Sequence, residues 1–303
     1  MTYVSFPGLG IEPFHMDRIA FSVFGVNVNW YGLIITCGMI LAVLYALWHA
    51  KYEGVKSDHI IDLALTLIFC GVIGARLYYV IMEFDQYLVT GGTFWKNLTA
   101  TLYNIIAIWN GGLAIYGGII AGFIAACVVA RIKRISFPVI ADIAGPAVMV
   151  GQIIGRWGNF VNVEAYGVET TLPWRMGVLY SFNDGVSFIS EKFVHPTFLY
   201  ESIWNLVGLI LITYLYKKKK FHGQMFLTYM SWYGFGRMLI EGLRTDSLYV
   251  GSIRISQLVG LVTFVVGAAL LIYNFHKAKK IKTEGDFQKD SAEQDTSEVE
   301  NDG

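Results

Sequence analysis

Charge is scarce in this chain. Asp, Glu, Lys and Arg make up 15% of its 303 residues, against roughly 25% in a soluble globular domain. Hydrophobic residues make up 55%, and the mean hydropathy is +0.50. That composition excludes an ordinary soluble domain and belongs to a protein that crosses a membrane several times. Cysteine is nearly absent: Cys37, Cys70 and Cys127 each sit inside an apolar run, without C-x-x-C spacing. They read as small membrane-core residues, not as disulfides or metal ligands. The N-terminal stretch MTYVSFPGLGIEPF lacks the basic segment of a cleavable signal peptide, so the first span is expected to act as the membrane signal. There is no H-E-x-x-H and no paired Asp motif of the kind that holds Mg²⁺. No metal, cofactor or nucleic-acid partner is expected. No internal repeat points to a transporter of inverted-repeat type.

What is present is a series of long apolar runs. A bilayer-crossing helix needs about 20 mostly apolar residues. Seven segments qualify: 30–50, 60–82, 112–131, 138–156, 196–216, 223–241 and 254–275. The fourth is weakened by Asp142, Gln152 and Arg156, and the sixth by Arg237 and Glu241. Basic residues orient the chain, because cytoplasmic connections carry more Lys and Arg. Lys51 and Lys56 follow the first span, Arg131, Lys133 and Arg134 the third, and Lys217 to Lys220 the fifth. The C-terminal tail adds Lys277, Lys279, Lys280, Lys282 and Lys289. The opposite connections hold only Arg18, Lys96, Arg175, Lys192, Arg244 and Arg254. The expectation is an all-α integral membrane protein with about seven transmembrane helices. Its N-terminus lies outside and its C-terminus in the cytoplasm. Residues 1–275 form one polytopic domain. The tail, 276–303, begins basic and turns acidic and polar, and is expected to be disordered, its basic start resting on anionic headgroups. The outward segments 83–111 and 157–195 are too long for simple turns. Short interfacial helices or a small extracytoplasmic cap are expected there.

In this topology the polar groups collect at one depth. Tyr31, Asn110, Tyr116, Arg156, the group His195, Tyr200 and Glu201, and the pair Arg237 and Glu241 all fall at outer ends of spans. Ionisable residues within a span are costly and usually face an interior where they act. Arg237 and Glu241 are four residues apart on one helix face, and Arg244 continues that face. They are either a self-contained ion pair steadying a helix end or part of a site. The stretch GRWGNFVNVEAYG, residues 155–167, is the densest. Arg156 offers a planar fork suited to phosphate, or else snorkels to the interface. Asn159 and Asn162 can orient a neighbour, and Glu164 can accept a proton or hold an arginine. Glycines 155, 158 and 167 permit close backbone approach. The bland reading of this stretch is a capped helix end and a turn. His195, ahead of Pro196, is either a base or an interfacial cap. Tyr116 is either a packed aromatic or a site hydroxyl. Glycines 111, 112, 117 and 118 around it suit close helix packing. Arg76 has no polar companion nearby, and Asp142 lies away from this depth and reads as structural.

GRWGNFVNVEAYG resembles the signature of the bacterial prolipoprotein diacylglyceryl transferase family. Three further stretches agree in order: WYGL at 30–33, HPTFLYE at 195–201 and YGFGRMLIEGLRTD at 233–246. The resemblance extends to about residue 275. It implies a multi-pass enzyme of the bacterial cytoplasmic membrane. Such an enzyme moves the diacylglyceryl group of phosphatidylglycerol to the lipobox cysteine thiol of a prolipoprotein signal peptide. A thioether forms and glycerol phosphate leaves, the first step of lipoprotein maturation. Membrane lipids are the other implied partners. On this resemblance Arg156 binds the phosphatidylglycerol phosphate, with Asn159, Glu164 and Gly167 as companions. Arg237 and Glu241 match the second essential cluster, followed by Arg244, and Tyr31 a functional tyrosine. Many members have a histidine where this chain has Tyr116, a position discussed as the thiol-activating base. Here Tyr116 or His195 would serve, or the position of Tyr116 only shapes the pocket. A polar-lined transporter and a non-catalytic lipid-binding scaffold are the rival readings of the residues alone.

Overall fold

The computed structural model describes the backbone of residues 1–181 and 188–301, with side chains left aside at Asn110, Ile189 and from 281 onward. The chain opens with strands β1 (Thr2–Phe6), β2 (Ile11–His15), β3 (Ile19–Val23) and β4 (Val26–Asn29). Helices follow: α1 (Trp30–Ala50), α2 (Ser57–Met82), α3 (Phe94–Ile106), α4 (Ile115–Lys133) and α5 (Phe137–Asn162). Then come β5 (Met176–Ser181), β6 (Phe188–Val194), α6 (Thr197–Tyr216), α7 (Gln224–Glu241), β7 (Tyr249–Val250), β8 (Ile253–Arg254) and α8 (Ile255–Asn301). Among the described residues six helices are long and apolar enough to cross a membrane: α1, α2, α4, α5, α6 and α8. In the apolar stretch of α8 only 11% of the residues are buried by protein. A soluble helix that exposed would be unstable in water, so lipid is its natural surrounding. The seventh expected segment is helical, as α7, but Gln224, Tyr229, Tyr233, Arg237 and Glu241 keep it outside that group.

The all-α expectation is corrected by the sheets. A four-stranded antiparallel sheet runs in the order β2-β1-β5-β6. Its central pairing sets Thr2 opposite Tyr180 and Val4 opposite Val178. Its inner face packs Val4, Met176, Val178 and Val194 on Val163 and Phe198. The sequence carries no strong signal for β1: a five-residue strand has little periodicity, and β5, one of its two partners, lies in a distant segment. The segment 83–111, expected to hold short interfacial helices, contains a short helix, α3.

The chain divides into two units, one of residues 1–45 and 141–303, the other of residues 46–140. In the second unit α2 and α4 cross closely. A Cβ on Gly117 would stand 2.3 Å from the Gly74 carbonyl oxygen, so only glycine lets the backbones meet. Buried Arg76 donates to the carbonyls of Asn104, Ile105, Ala107, Gly111 and Gly112. It ties down the end of α3 and the connection into α4. The companions the sequence did not show are backbone oxygens.

In the first unit Asp142 is fully buried on α5 and faces the start of α7. Its carboxylate accepts from the Gly223 amide at 2.7 Å, the Phe226 amide at 3.0 Å and the Lys219 ammonium at 3.0 Å. This satisfies two of the donors that a helix N-terminus leaves free and places negative charge at the positive end of its dipole. The structural reading of Asp142 thus has a concrete form. Beyond Lys280 the backbone of α8 continues to Asn301, and the side chains of the charged tail lie outside the described residues. Replacing Asp142 with Ala removes the acceptor of two helix-start amides, one of them buried, and an ion-pair partner of Lys219. A loss of about 3 kcal/mol is expected, measured by thermal or denaturant unfolding in detergent. A variant as stable as wild type would refute the capping role.

Candidate active site

The site is built where three sequence-distant segments are knitted together by their backbones. The end of α5 and its loop, the segment before α6 and the segment after α7 share hydrogen bonds. The Gly167 amide donates to the His195 carbonyl at 2.9 Å, and His195 donates back to Val168 at 3.1 Å. The Val168 amide donates to Leu243 at 2.7 Å, and Gly167 bridges Arg244. Thr197 Oγ1 donates to the Ala165 carbonyl, and Thr245 Oγ1 to that of Tyr166. A Cβ on Gly167 would lie 2.7 Å from the His195 Cβ and 3.0 Å from the Leu243 oxygen. No larger residue fits without shifting one of the segments. Phe160 and Phe198 stack at 4.5 Å beneath this junction, with Trp157 against Phe198 at 5.5 Å.

Two residues of the loop have backbones that side chains rarely adopt. Val163 has φ 52° and Ala165 φ 57°. A β-branched residue in that region is an outlier held by its surroundings. The two flank Glu164 and fix its direction. Glu164 Oε1 accepts from Asn159 Nδ2 at 2.8 Å, and Asn159 Oδ1 accepts from Arg156 Nη1 at 3.3 Å. Tyr31, at the start of α1, lies within electrostatic reach of Glu164 and Arg156. A Cβ on Gly158 would be 2.9 Å from its ring.

At the centre is a carboxylate that the sequence reading noted without giving it a role. Glu201, on the first turns of α6, has a side chain 4% exposed. Its Oε2 is 2.6 Å from Arg156 Nη2, and its Oε1 is 2.9 Å from Arg237 Nη1 and 3.6 Å from Arg244 Nη1. Arg237 also pairs with Glu241 at 2.5 Å, four residues along α7, and Arg244 reaches Glu241 at 3.8 Å. Glu241 is therefore ion-paired, although the angle of that contact is poor for a hydrogen bond. Arg244 further grips Asp246 through two hydrogen bonds of 2.9 and 2.7 Å. Burial opposes ionisation of Asp246, yet this grip holds its carboxyl below the usual range.

The structure thus brings together Arg156, Asn159, Glu164, Arg237, Glu241, Arg244, Tyr31 and Gly167. His195 joins through its backbone, while its ring Nδ1 meets the Tyr200 hydroxyl at 3.2 Å, itself accepting from Trp174 at 2.8 Å. Tyr116 is half-buried in the first turn of α4 and belongs to the second unit. The Asn110 side chain lies outside the described residues. Glu201 was missed as the hub because the spacing of Arg237 and Glu241 already explained both charges locally. Its signal was a lone carboxylate within an apolar helix. Among the described residues no group of three His, Cys, Asp or Glu is placed to hold a metal ion.

Chemically the arrangement offers three guanidinium groups, partly open, at one buried locus. It is suited to a phosphate and to charge developing on a phosphate oxygen. Comparison with known proteins gives the chain a family. The family described as prolipoprotein diacylglyceryl transferase matches residues 18–273. Three relatives are named phosphatidylglycerol–prolipoprotein diacylglyceryl transferase. That of Finegoldia magna is 46% identical over 258 residues, covering 85% of this chain and 95% of the relative. That of Lysinibacillus sphaericus is 43% identical, covering 87% and 94%. That of Listeria welshimeri is 42% identical, covering 88% and 92%.

The partial burial of His195 lowers its proton affinity below that of an ordinary histidine. The unfolded chain then binds the proton more readily than the folded one, so stability rises with pH up to ~6.5 and levels off above it. His195→Gln is expected to flatten that rise. An unchanged pH profile of unfolding would show that His195 is not the group responsible.

Proposed function

The chain belongs to the prolipoprotein diacylglyceryl transferase family, and from that premise we propose that it transfers the diacylglyceryl group of phosphatidylglycerol to the lipobox cysteine of prolipoproteins. The thiolate, the reactive form of the cysteine, attacks the glyceryl carbon that bears the phosphate oxygen. A carbon–sulfur bond forms, the carbon–oxygen bond breaks, and glycerol phosphate leaves with the electron pair. The observation that carries this reading is the sharing of one carboxylate by Arg156 and Arg237, which sets two forks at the spacing of a small oxyanion. Arg156, steadied by Asn159, holds the lipid phosphate. Arg237 faces the charge that grows on the leaving group, where fixed donors act most strongly in a partly dry site.

The other residues support these two. Glu241 and Arg244 orient Arg237. Glu164, held by its strained loop, and Tyr31 line the approach, and Gly167 keeps the junction closed. The thiol proton goes to a basic side chain, for which His195 and Tyr116 are the candidates. His195 carries the advantage of being readily neutral.

The topology that suits this chemistry has seven crossings, α7 being the sixth in order, and the N-terminus outside the bacterial cytoplasmic membrane. The basic connections then face the cytoplasm. The arginine cluster falls at the outer surface, where secreted precursors emerge with their signal peptides. Lipid substrate and surrounding membrane lipids reach it from the side. Residues 1–275 carry the activity, and the tail, 276–303, is an appendage.

The test is a transfer assay. Purified protein receives phosphatidylglycerol and a lipobox peptide, and the peptide mass is followed beside a cysteine-to-serine control. A diacylglyceryl gain on the cysteine peptide alone is expected. Arg156→Gln should lower the rate by about 100-fold or more while the protein remains folded; an active Arg156→Gln enzyme would remove Arg156 from its role. Deleting residues 276–303 should leave the rate within about twofold, and an inactive truncation would give the tail a part in catalysis.

A further inference from the structure

The centre of the cluster is already occupied by an anion of the protein's own. Glu201 bridges Arg156 and Arg237 with one oxygen each, at 2.6 and 2.9 Å. Two non-bridging oxygens of a phosphate would engage the same pair of forks in the same way. The charges are also balanced. Arg156, Arg237 and Arg244 stand against Glu201, Glu241 and Asp246. An arriving phosphate meets no surplus of positive charge, and gains its ion pairs as Glu201 gives them up.

Such an arrangement has a use that depends on the function proposed above. The lipid substrate is a phosphodiester with a single negative charge. The product, glycerol phosphate, is a monoester whose second ionisation lies near pH ~6, so at neutral pH it carries nearly two. Three uncompensated arginines would hold the product more tightly than the substrate and stall turnover. A carboxylate tethered among them competes at high effective concentration.

We propose that Glu201 is a positioning residue that acts as an internal competitor for the phosphate site, returning to Arg156 and Arg237 as glycerol phosphate departs. Its contacts come from α5, α7 and the segment after α7, so its return also restores the spacing of the arginines for the next lipid. Binding strength is thereby kept low for the product, and positioning is kept for the substrate.

The experiment measures glycerol phosphate binding by calorimetry in detergent, together with single-turnover and steady-state transfer. Glu201→Gln keeps the size of the side chain and removes its charge. It is expected to bind glycerol phosphate on the order of tenfold more tightly, with kcat lowered and a pre-steady-state burst. The single-turnover rate falls less than kcat. Loss of a merely structural contact would lower the active fraction and leave or weaken the affinity. Glu201→Asp, whose charge is withdrawn by one methylene, should tighten binding by a smaller factor. If the Gln variant does not fold, the Asp variant alone decides. Unchanged or weaker glycerol phosphate binding in the folded variants overturns the proposal. A wild-type protein that transfers no diacylglyceryl group would instead overturn the functional reading, and tighter anion binding in the variant would still stand beside that failure.

Discussion

Three arginines from separate segments cannot be buried side by side without a counter-charge. Burying an unpaired ion costs several kcal/mol even after relaxation, and three together would repel one another. Glu201 makes the arrangement possible. It lies on α6 and meets Arg156 from α5, Arg237 from α7 and Arg244 beyond α7. The packing of the three helices, the junction of backbone strands above them and the stacked Phe160 and Phe198 below all converge on keeping that carboxylate in place. Fold and chemistry are here one problem: the electrostatics of the site demand a rigid frame, and the frame is assembled from the same motifs that carry the charges.

The apolar frame was legible in the sequence because a bilayer imposes a length and a composition. The runs behind α1, α2, α4 and α6 needed only counting. The candidate residues were legible because charge inside such runs is costly and therefore purposeful. What was not legible depended on distant partners. The pairing of β1 with β5 joins residues that share no local pattern. The companions of Arg76 are carbonyl oxygens, which every residue carries and no sequence advertises. Glu201 was seen but left without a role, since a local pairing of Arg237 with Glu241 already accounted for the charges. Only the three-dimensional arrangement shows that Arg237 serves two carboxylates at once.

Asp142 and Glu201 are both buried carboxylates of the same unit, and the contrast between them is instructive. Asp142 faces two backbone amides and a single lysine, donors that the fold itself leaves over at a helix start. Its partners are used up by the structure. Glu201 faces arginine forks whose side chains remain 19%, 14% and 11% exposed. A shared, partly open set of donors is one that a visitor can enter. Burial alone would have ranked the two acids alike, and Lys219 at 15% is as open as the arginines; it is the nature of the partners, backbone amides against arginine forks, that separates them.

The sheet has a consequence for biogenesis. Strand β1 precedes α1, yet its central neighbour β5 follows α5. During synthesis at roughly 5–20 residues per second, β1 can pair with β2 at once but waits on the order of ten seconds or more for β5. Until then its edge away from β2 is unpaired, and such an edge is open to wrong pairings. Helices α1 to α5 are therefore laid down before β1 meets β5, while α6 and α7, which bring Glu201 and Arg237, follow it. The strand translated first thus joins its sheet before the helices that complete the arginine cluster are made.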